Sequence, residues 1–208
     1  MKIYLAFIVL ILSIVGKPVP LFADSWAVPE PQVAFSPSRN FFVLITPVNG
    51  IGNGATAEIY QKHKNNTFQL IKKLTLVTSA VPVKFYISDY GYWVTLDNWG
   101  KMGYGKVVVF YDFKGQLIKS YRLADLFNEK EISSFIISTS SIHWRHNPAY
   151  LNPDQKTLRV SVEGGGAFTF SMKTGSYQFC KNQEKKAICR TKNRNRKWVP
   201  LNPNQTNP

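Results

Sequence analysis

The densest set of groups able to do chemistry lies in nine residues, Ser138-Thr139-Ser140-Ser141-Ile142-His143-Trp144-Arg145-His146, with hydroxyls, two imidazoles and a guanidinium. A serine beside a histidine is the material of a nucleophile and its general base. Ser140 or Ser141 with His143 or His146 would make the chain a serine-type hydrolase. No Gly-x-Ser-x-Gly elbow frames these serines. Groups so close in sequence also face each other only across an unusual backbone. His143 and His146 lack a clear third ligand, so no metal and no other cofactor is expected. The plainer reading is a capping loop in which Trp144 packs and Arg145 pairs with an acid such as Asp97 or Asp125.

A second cluster is the excursion Asp97-Asn98-Trp99-Gly100-Lys101-Met102-Gly103-Tyr104-Gly105. Glycine lets a ligand approach the backbone, and the two rings offer stacking faces. Asp97, Asn98, Trp99 and Tyr104, with Trp144 and Arg145 opposite, are therefore the candidate ligand groove. The competing reading has Trp99 and Tyr104 plugging the end of a sheet. His63, between Lys62 and Lys64, reads as a solvated turn residue. Gly164-Gly165-Gly166 is followed by neither Lys-Ser nor Lys-Thr, so it reads as a hairpin bend and not a phosphate loop.

The third cluster is charge. The formal net charge of +14 is concentrated after Cys180, where eight Lys or Arg face the single acid Glu184. Lys185, Lys186, Arg190, Lys192, Arg194, Arg196 and Lys197 form a candidate site for anionic surfaces. Cys180 and Cys189, nine apart, are expected to pair in an oxidising compartment and to close a short basic loop.

These groups need elements to position them. The stretch Phe85 to Leu123 reads as one antiparallel meander. Its first strand ends at a turn, Asp89-Tyr90-Gly91. A second strand runs through Trp93-Val94-Thr95-Leu96, a third spans Val107 to Tyr111, and a fourth follows the turn at Lys114-Gly115. The pattern occurs earlier, from Val33 to Leu74, and later, from Leu151 to Phe179. Phe41, Trp93 and Leu158 are expected in like places. About three copies at a spacing of about 50 to 65 residues make a repeat architecture. One meander cannot bury both its faces, so the copies must stack. Between copies two and three, Leu123, Leu126, Phe127, Ile132 and Phe135 recur at helical spacing, with Asp125 placed to cap, which predicts one or two short helices. The fold class is all-β.

Ser36-Pro37, Ser88-Asp89-Tyr90-Gly91 and Asn152-Pro153-Asp154-Gln155-Lys156 resemble the turns of β-propeller repeats of the YVTN, WD40-like and TolB kinds. Asp112-Phe113-Lys114-Gly115 and Met172-Lys173-Thr174-Gly175 resemble the turn before the outer strand of those blades. The central phrase is also similar to uncharacterised exported bacterial proteins with a SDDGRYVVTLDNW-type phrase, which implies no activity. Propellers close with four or more blades. With three copies visible, either a fourth, degenerate copy is present or the chain is a compact domain of propeller-like meanders, the reading preferred here.

The amino terminus has Lys2, an apolar run from Ile3 to Val15, then Gly16, Pro18 and Ala23, the order of a secretory signal peptide. The run is shorter than the ~20 residues of a membrane-crossing helix. The expected organisation is thus a signal peptide over 1–23, a β-repeat domain over 24–180 and a basic, Asn- and Pro-rich tail over 181–208, separable from the fold. The expected protein is periplasmic or secreted, without a transmembrane helix after processing. It would be a non-enzymatic binding or scaffold module, with a protein or an anionic envelope polymer as partner and no specific nucleic acid. The alternatives are the hydrolase above and a subunit of an envelope assembly joined through exposed sheet edges.

Overall fold

A computed structural model describes residues 26–48, 53–146, 148–183, 186–192 and 198–200. The signal peptide expected over 1–23 lies outside them, as do Lys185, Arg194, Arg196, Lys197 and residues 201–208. The described chain is all-β with antiparallel sheets and two short helices, Leu123–Leu126 and Glu129–Ser133. None of its helices is long and apolar enough to cross a membrane.

Four sheets form where three meanders were expected. The first contains β1 (Gln32–Phe35), β2 (Phe41–Pro47), β3 (Ala55–Lys62) and β4 (Phe68–Thr75) in sequence order. The second contains β5 (Pro82–Ile87), β6 (Trp93–Asn98), β7 (Val108–Tyr111) and β8 (Leu117–Tyr121). A two-stranded ribbon, β9 (Ile136–Ile137) and β10 (Ile142–His143), follows the helices. The last sheet runs in order through β11 (Tyr150–Leu151), β12 (Thr157–Ser161), β13 (Ala167–Ser171), β14 (Tyr177–Gln183), β15 (Lys186–Lys192) and β16 (Trp198–Pro200).

The likeness among the meanders is set by their turns. Arg39 N–H donates to Ser36 O, Gly91 N–H to Ser88 O and Gln155 N–H to Asn152 O, at 2.8, 2.9 and 2.7 Å. Each donor has left-handed φ, at 57°, 77° and 57°. Glycine reaches that region freely, whereas Arg39 and Gln155 occupy it at some steric cost. The turn between third and fourth strands repeats too, with Asn66, Gly115 and Gly175 at φ 62°, 76° and 67°. Phe41, Trp93 and Leu158 all lie in the strand that follows the first turn. By register, however, the equivalent of Trp93 and Leu158 is Phe42. The pairs across the turn are Phe35 with Phe42, Ile87 with Trp93, and Leu151 with Leu158. The turn of the second meander is one residue shorter, and this shifts the alignment.

Stacking then follows from the period of two along a strand. In the second sheet, Phe85, Ile87, Trp93, Val109 and Tyr111 face the first meander, where Phe41, Val43, Ile45, Ala55, Ala57 and Ile59 meet them. Its other face, Val94, Leu96, Val108 and Phe110, meets Leu158, Val160, Phe168 and Phe170 of the last sheet. The second sheet is buried on both sides, so β6 and β7 read as continuous apolar runs. The helices close this second core with Leu123, Leu126 and Phe127. Asp125, expected as the cap, sits instead inside the first turn of the first helix, where Arg122 is the N-cap, and its carboxylate accepts from Arg122 N–H at 2.8 Å.

The sheet does not stop at Phe179. Residues 181–183, 186–192 and 198–200 of the segment expected to be a separable tail are strands of the last sheet. Their charge reads as disorder in sequence, but β14 offers an open edge whose N–H and C=O groups β15 satisfies. Cys180 and Cys189 stand opposite each other in that pairing and form the expected disulfide, Cα to Cα 4.0 Å. Arg190 donates to Glu131 at 2.5 Å and lies over the Phe179 ring. Deleting 181–208 would therefore cut into the sheet instead of sparing the fold.

Candidate functional site

Four of the six residues expected to line a groove are instead enclosed. Asp97, at the end of β6 with φ 58°, is 1% exposed. Its Oδ1 accepts from Trp144 Nε1 at 2.7 Å and from Gly103 N–H at 3.1 Å. Its Oδ2 accepts from Arg145 Nε at 2.6 Å, and neither side chain of that ion pair reaches solvent. Asn98 is buried beside them and donates through Nδ2 to the Tyr104 and Lys106 carbonyls. The Gly-rich loop is thus laced to the β10 segment by a buried ion pair. This is the capping arrangement with Arg145 on Asp97, and it keeps Asp97, Asn98, Trp144 and Arg145 buried. Trp99 is half-buried, donates to Ala27 O at 2.7 Å and meets the Trp26 ring edge-on. Tyr104 is held to Asn98 through its carbonyl, while its side chain is exposed.

Ser141 is buried, Ser140 Oγ accepts from Trp26 Nε1, and His146 Nδ1 sits 3.1 Å from the Glu163 carboxylate. Among the described residues no hydrogen bond joins either serine to His143 or His146, and no group of three metal-ligating side chains occurs. Gly164-Gly165-Gly166 forms the bend between β12 and β13, closed by Val162 and Gly166. His63 is an exposed turn residue. Of the cationic set, Arg190 is paired with Glu131, while Lys186 and Lys192 begin and end β15.

An open cleft of about 410 Å³ forms elsewhere, lined by Tyr90, Tyr92, Gln155, Lys156, Ser171, Met172 and Lys173. The elements that build it are the first turns of the second and third meanders and the turn between β13 and β14. Stacked sheets bring these turns to one end. Met172 N–H donates to Lys156 O at 2.8 Å, which joins the two turns of the last sheet. The junction between sheets is a clip on Asp89. Ser38 donates to its Oδ1 through both N–H and hydroxyl, Gln155 Nε2 donates to Oδ2 at 2.6 Å, and Asp89 N–H donates back to Gln155 Oε1 at 2.7 Å. One carboxylate so ties together the first turns of all three meanders. The cleft wall carries two phenols and two ammonium groups and no acid.

Partial burial pushes the Asp89 carboxyl up, but donors from Ser38, Gln155 and Ser36 outweigh this and hold it below the ordinary 3.8. A carboxyl lowered on folding contributes stability that is present above its unfolded value and is lost as pH falls through the folded one. Asp89→Asn should therefore destabilise the protein at pH 7 by about 1 kcal/mol, the usual worth of such a hydrogen bond. In urea titrations the gap between parent and variant should close below about pH 4. A gap unchanged at low pH would show that Asp89 does not act through its charge.

Tyr90, Tyr92, Gln155, Lys156 and Lys173 are legible in sequence only as turn residues. The available signal was positional: equivalent turns of a stacked repeat converge at one end, and the rings of one, Tyr90 and Tyr92, meet the cation of another, Lys156. A second, apolar cleft of about 360 Å³ lies where the first strands of the meanders approach, between Ala34, Phe35, Pro37, Phe85, Tyr86, Ile87, Ala149, Tyr150 and Leu151. No family model matches the chain, and no curated protein sequence matches it either.

Proposed function

We propose that the protein is an exported, non-enzymatic binding module that holds an anionic polymer in the Tyr90–Lys173 cleft. The observation that carries this reading is the lining itself, which joins Lys156 and Lys173 to Tyr90 and Tyr92 with no carboxylate among them. Ammonium groups neutralise an acidic repeat unit, and tyrosine faces cover the apolar side of a sugar ring. The basic excess of the chain adds long-range attraction that steers such a polymer inward. Export is supported by the leader-like amino terminus and by the disulfide, which suits a periplasmic or extracellular setting. The propeller-like character of the turns belongs to the same reading, since propeller-type stacks present ligand sites at the ends of their sheets.

The test is titration with polygalacturonate, with dextran as the neutral control. Lys156→Ala with Lys173→Ala should weaken polygalacturonate binding by about 30-fold at low salt, at about 1 kcal/mol per cation. Parent binding should fall as salt shortens the screening length from about 10 Å at 0.1 M to about 3 Å at 1 M. Binding unchanged in the double variant, or equal binding of dextran, would remove the cleft from consideration.

A further inference from the structure

Two lysines outside the Tyr90–Lys173 cleft recur with the fold. The fourth strands of the first and second meanders, β4 and β8, each carry a bulge, at Ile71 and Ile118, and a lysine follows it. Lys72 stands opposite Ile59, and Lys119 opposite Phe110. The next meander then lays a glycine turn on each lysine stem. A Cβ on Gly115 would come within 3.4 Å of Lys72 Cγ, and one on Gly175 within 2.6 Å of Lys119 Cβ, an approach that a larger residue would obstruct. Each turn also brings a lysine of its own, Lys114 just before Gly115 and Lys173 just before Thr174-Gly175. The two joints of the stack thus carry matching pairs, Lys72 with Lys114 and Lys119 with Lys173, and all four side chains are exposed.

We propose that a linear polyanion held in the cleft continues past it over the Lys72 and Lys114 joint; this rests on the anionic polymer assigned to the cleft above. The path is continuous. Lys173 of one joint already lines the cleft with Tyr90 and Tyr92. On the far side Gly91 lies against Phe113, where a Cβ would fall 2.6 Å from Phe113 Cβ, and Lys114 is the next residue. Tyr90 and Phe113 are 54% and 40% exposed, so open ring faces lie between the two sets of ammonium groups. The carboxylates of these turns are engaged locally. Asp89 is held in the clip, Asp112 accepts from Lys114 N–H and Gln116 N–H at 2.9 and 2.8 Å, and Asp154 accepts from Lys156 N–H at 3.0 Å. Lys72, Lys114, Lys119, Lys156 and Lys173 outnumber them, which leaves a net positive track. Packed sheets lie about 10 Å apart, so successive joints offer charge at intervals that an extended chain spans and a single small anion does not.

Calorimetric titration at low salt with trigalacturonate and with polygalacturonate tests this. Lys72→Gln with Lys114→Gln keeps much of each stem and removes both charges. It should weaken polygalacturonate binding about tenfold or more and flatten its salt dependence. Trigalacturonate binding and the circular dichroism spectrum should stay as in the parent. Lys72→Glu with Lys114→Glu should weaken the polymer further. Polymer binding unchanged in both variants, or trisaccharide binding that falls in step with it, overturns the extension. A parent that binds the trisaccharide as tightly as the polymer overturns it too. The cleft is judged separately: trisaccharide binding lost in Lys156→Ala with Lys173→Ala keeps the cleft even where the extension fails, and a parent that binds neither saccharide overturns both.

Discussion

Arg145→Ala should destabilise the protein by about 3–5 kcal/mol, because it strands a carboxylate in a place water does not reach. Asp97 lies at the strand end with left-handed φ and is 1% exposed, and Arg145 is its donor at Oδ2. Without the guanidinium, the Asp97 carboxylate loses its partner at that atom, and a buried charge left without one costs stability. For a domain of this size the loss corresponds to a fall in Tm of about 2–4 °C per kcal/mol. Removing both charges together, as Asp97→Asn with Arg145→Met, should recover much of the loss, since neutral groups carry no desolvation debt. Differential scanning calorimetry on the two variants decides it. A single variant within about 1 kcal/mol of the parent would mean that the pair does not hold the Gly-rich loop.

Trp93→Ala should cost a similar amount, about 3–5 kcal/mol, by opening a cavity between the first and second sheets. The ring is fully buried, stacks on Tyr111 and donates to Asp112 O at 3.1 Å. Its register equivalent, Phe42, stacks on Tyr60 in the same way but is only half-buried. Phe42→Ala should therefore cost only about 1–2 kcal/mol, in proportion to the area it keeps from water. The comparison isolates burial, because strand position and stacking geometry are nearly alike. It should be made by urea titration. Equal losses there would show that strand and ring geometry, and not the covering sheet, sets the energy.

Tyr111 belongs to the same joint. Burial pushes its phenol up to about 12, and its oxygen accepts from Val77 N–H. It stays neutral through the physiological range.

What sequence alone determined is local and repeated. The turns are legible because proline, glycine and asparagine settle backbone angles without help from distant residues. The strands are legible because short runs rich in β-branched residues and bounded by turn residues, such as Val43-Leu44-Ile45 and Val107-Val108-Val109-Phe110, favour extended backbone. The disulfide follows from two cysteines nine apart, and the two helices from spacing and caps.

Tertiary structure decided which polar groups are buried and which are offered to solvent. Asp97, Asn98, Trp144 and Arg145 have the composition of a binding groove, and composition cannot tell a groove from a buried ion pair, since both gather the same side chains. Lys186 to Lys192 is charged enough to read as a loose tail, but the free edge of β14 supplies partners that no local pattern records. The cleft between Tyr90 and Lys173 exists only because stacking brings turns about 65 to 85 residues apart to one end, and the strength of such contacts depends on which sheet lies beside which. The same cause separates Trp93 from Phe42: nearly the same strand and the same stacked pair, with burial granted by a neighbour in one case and withheld in the other.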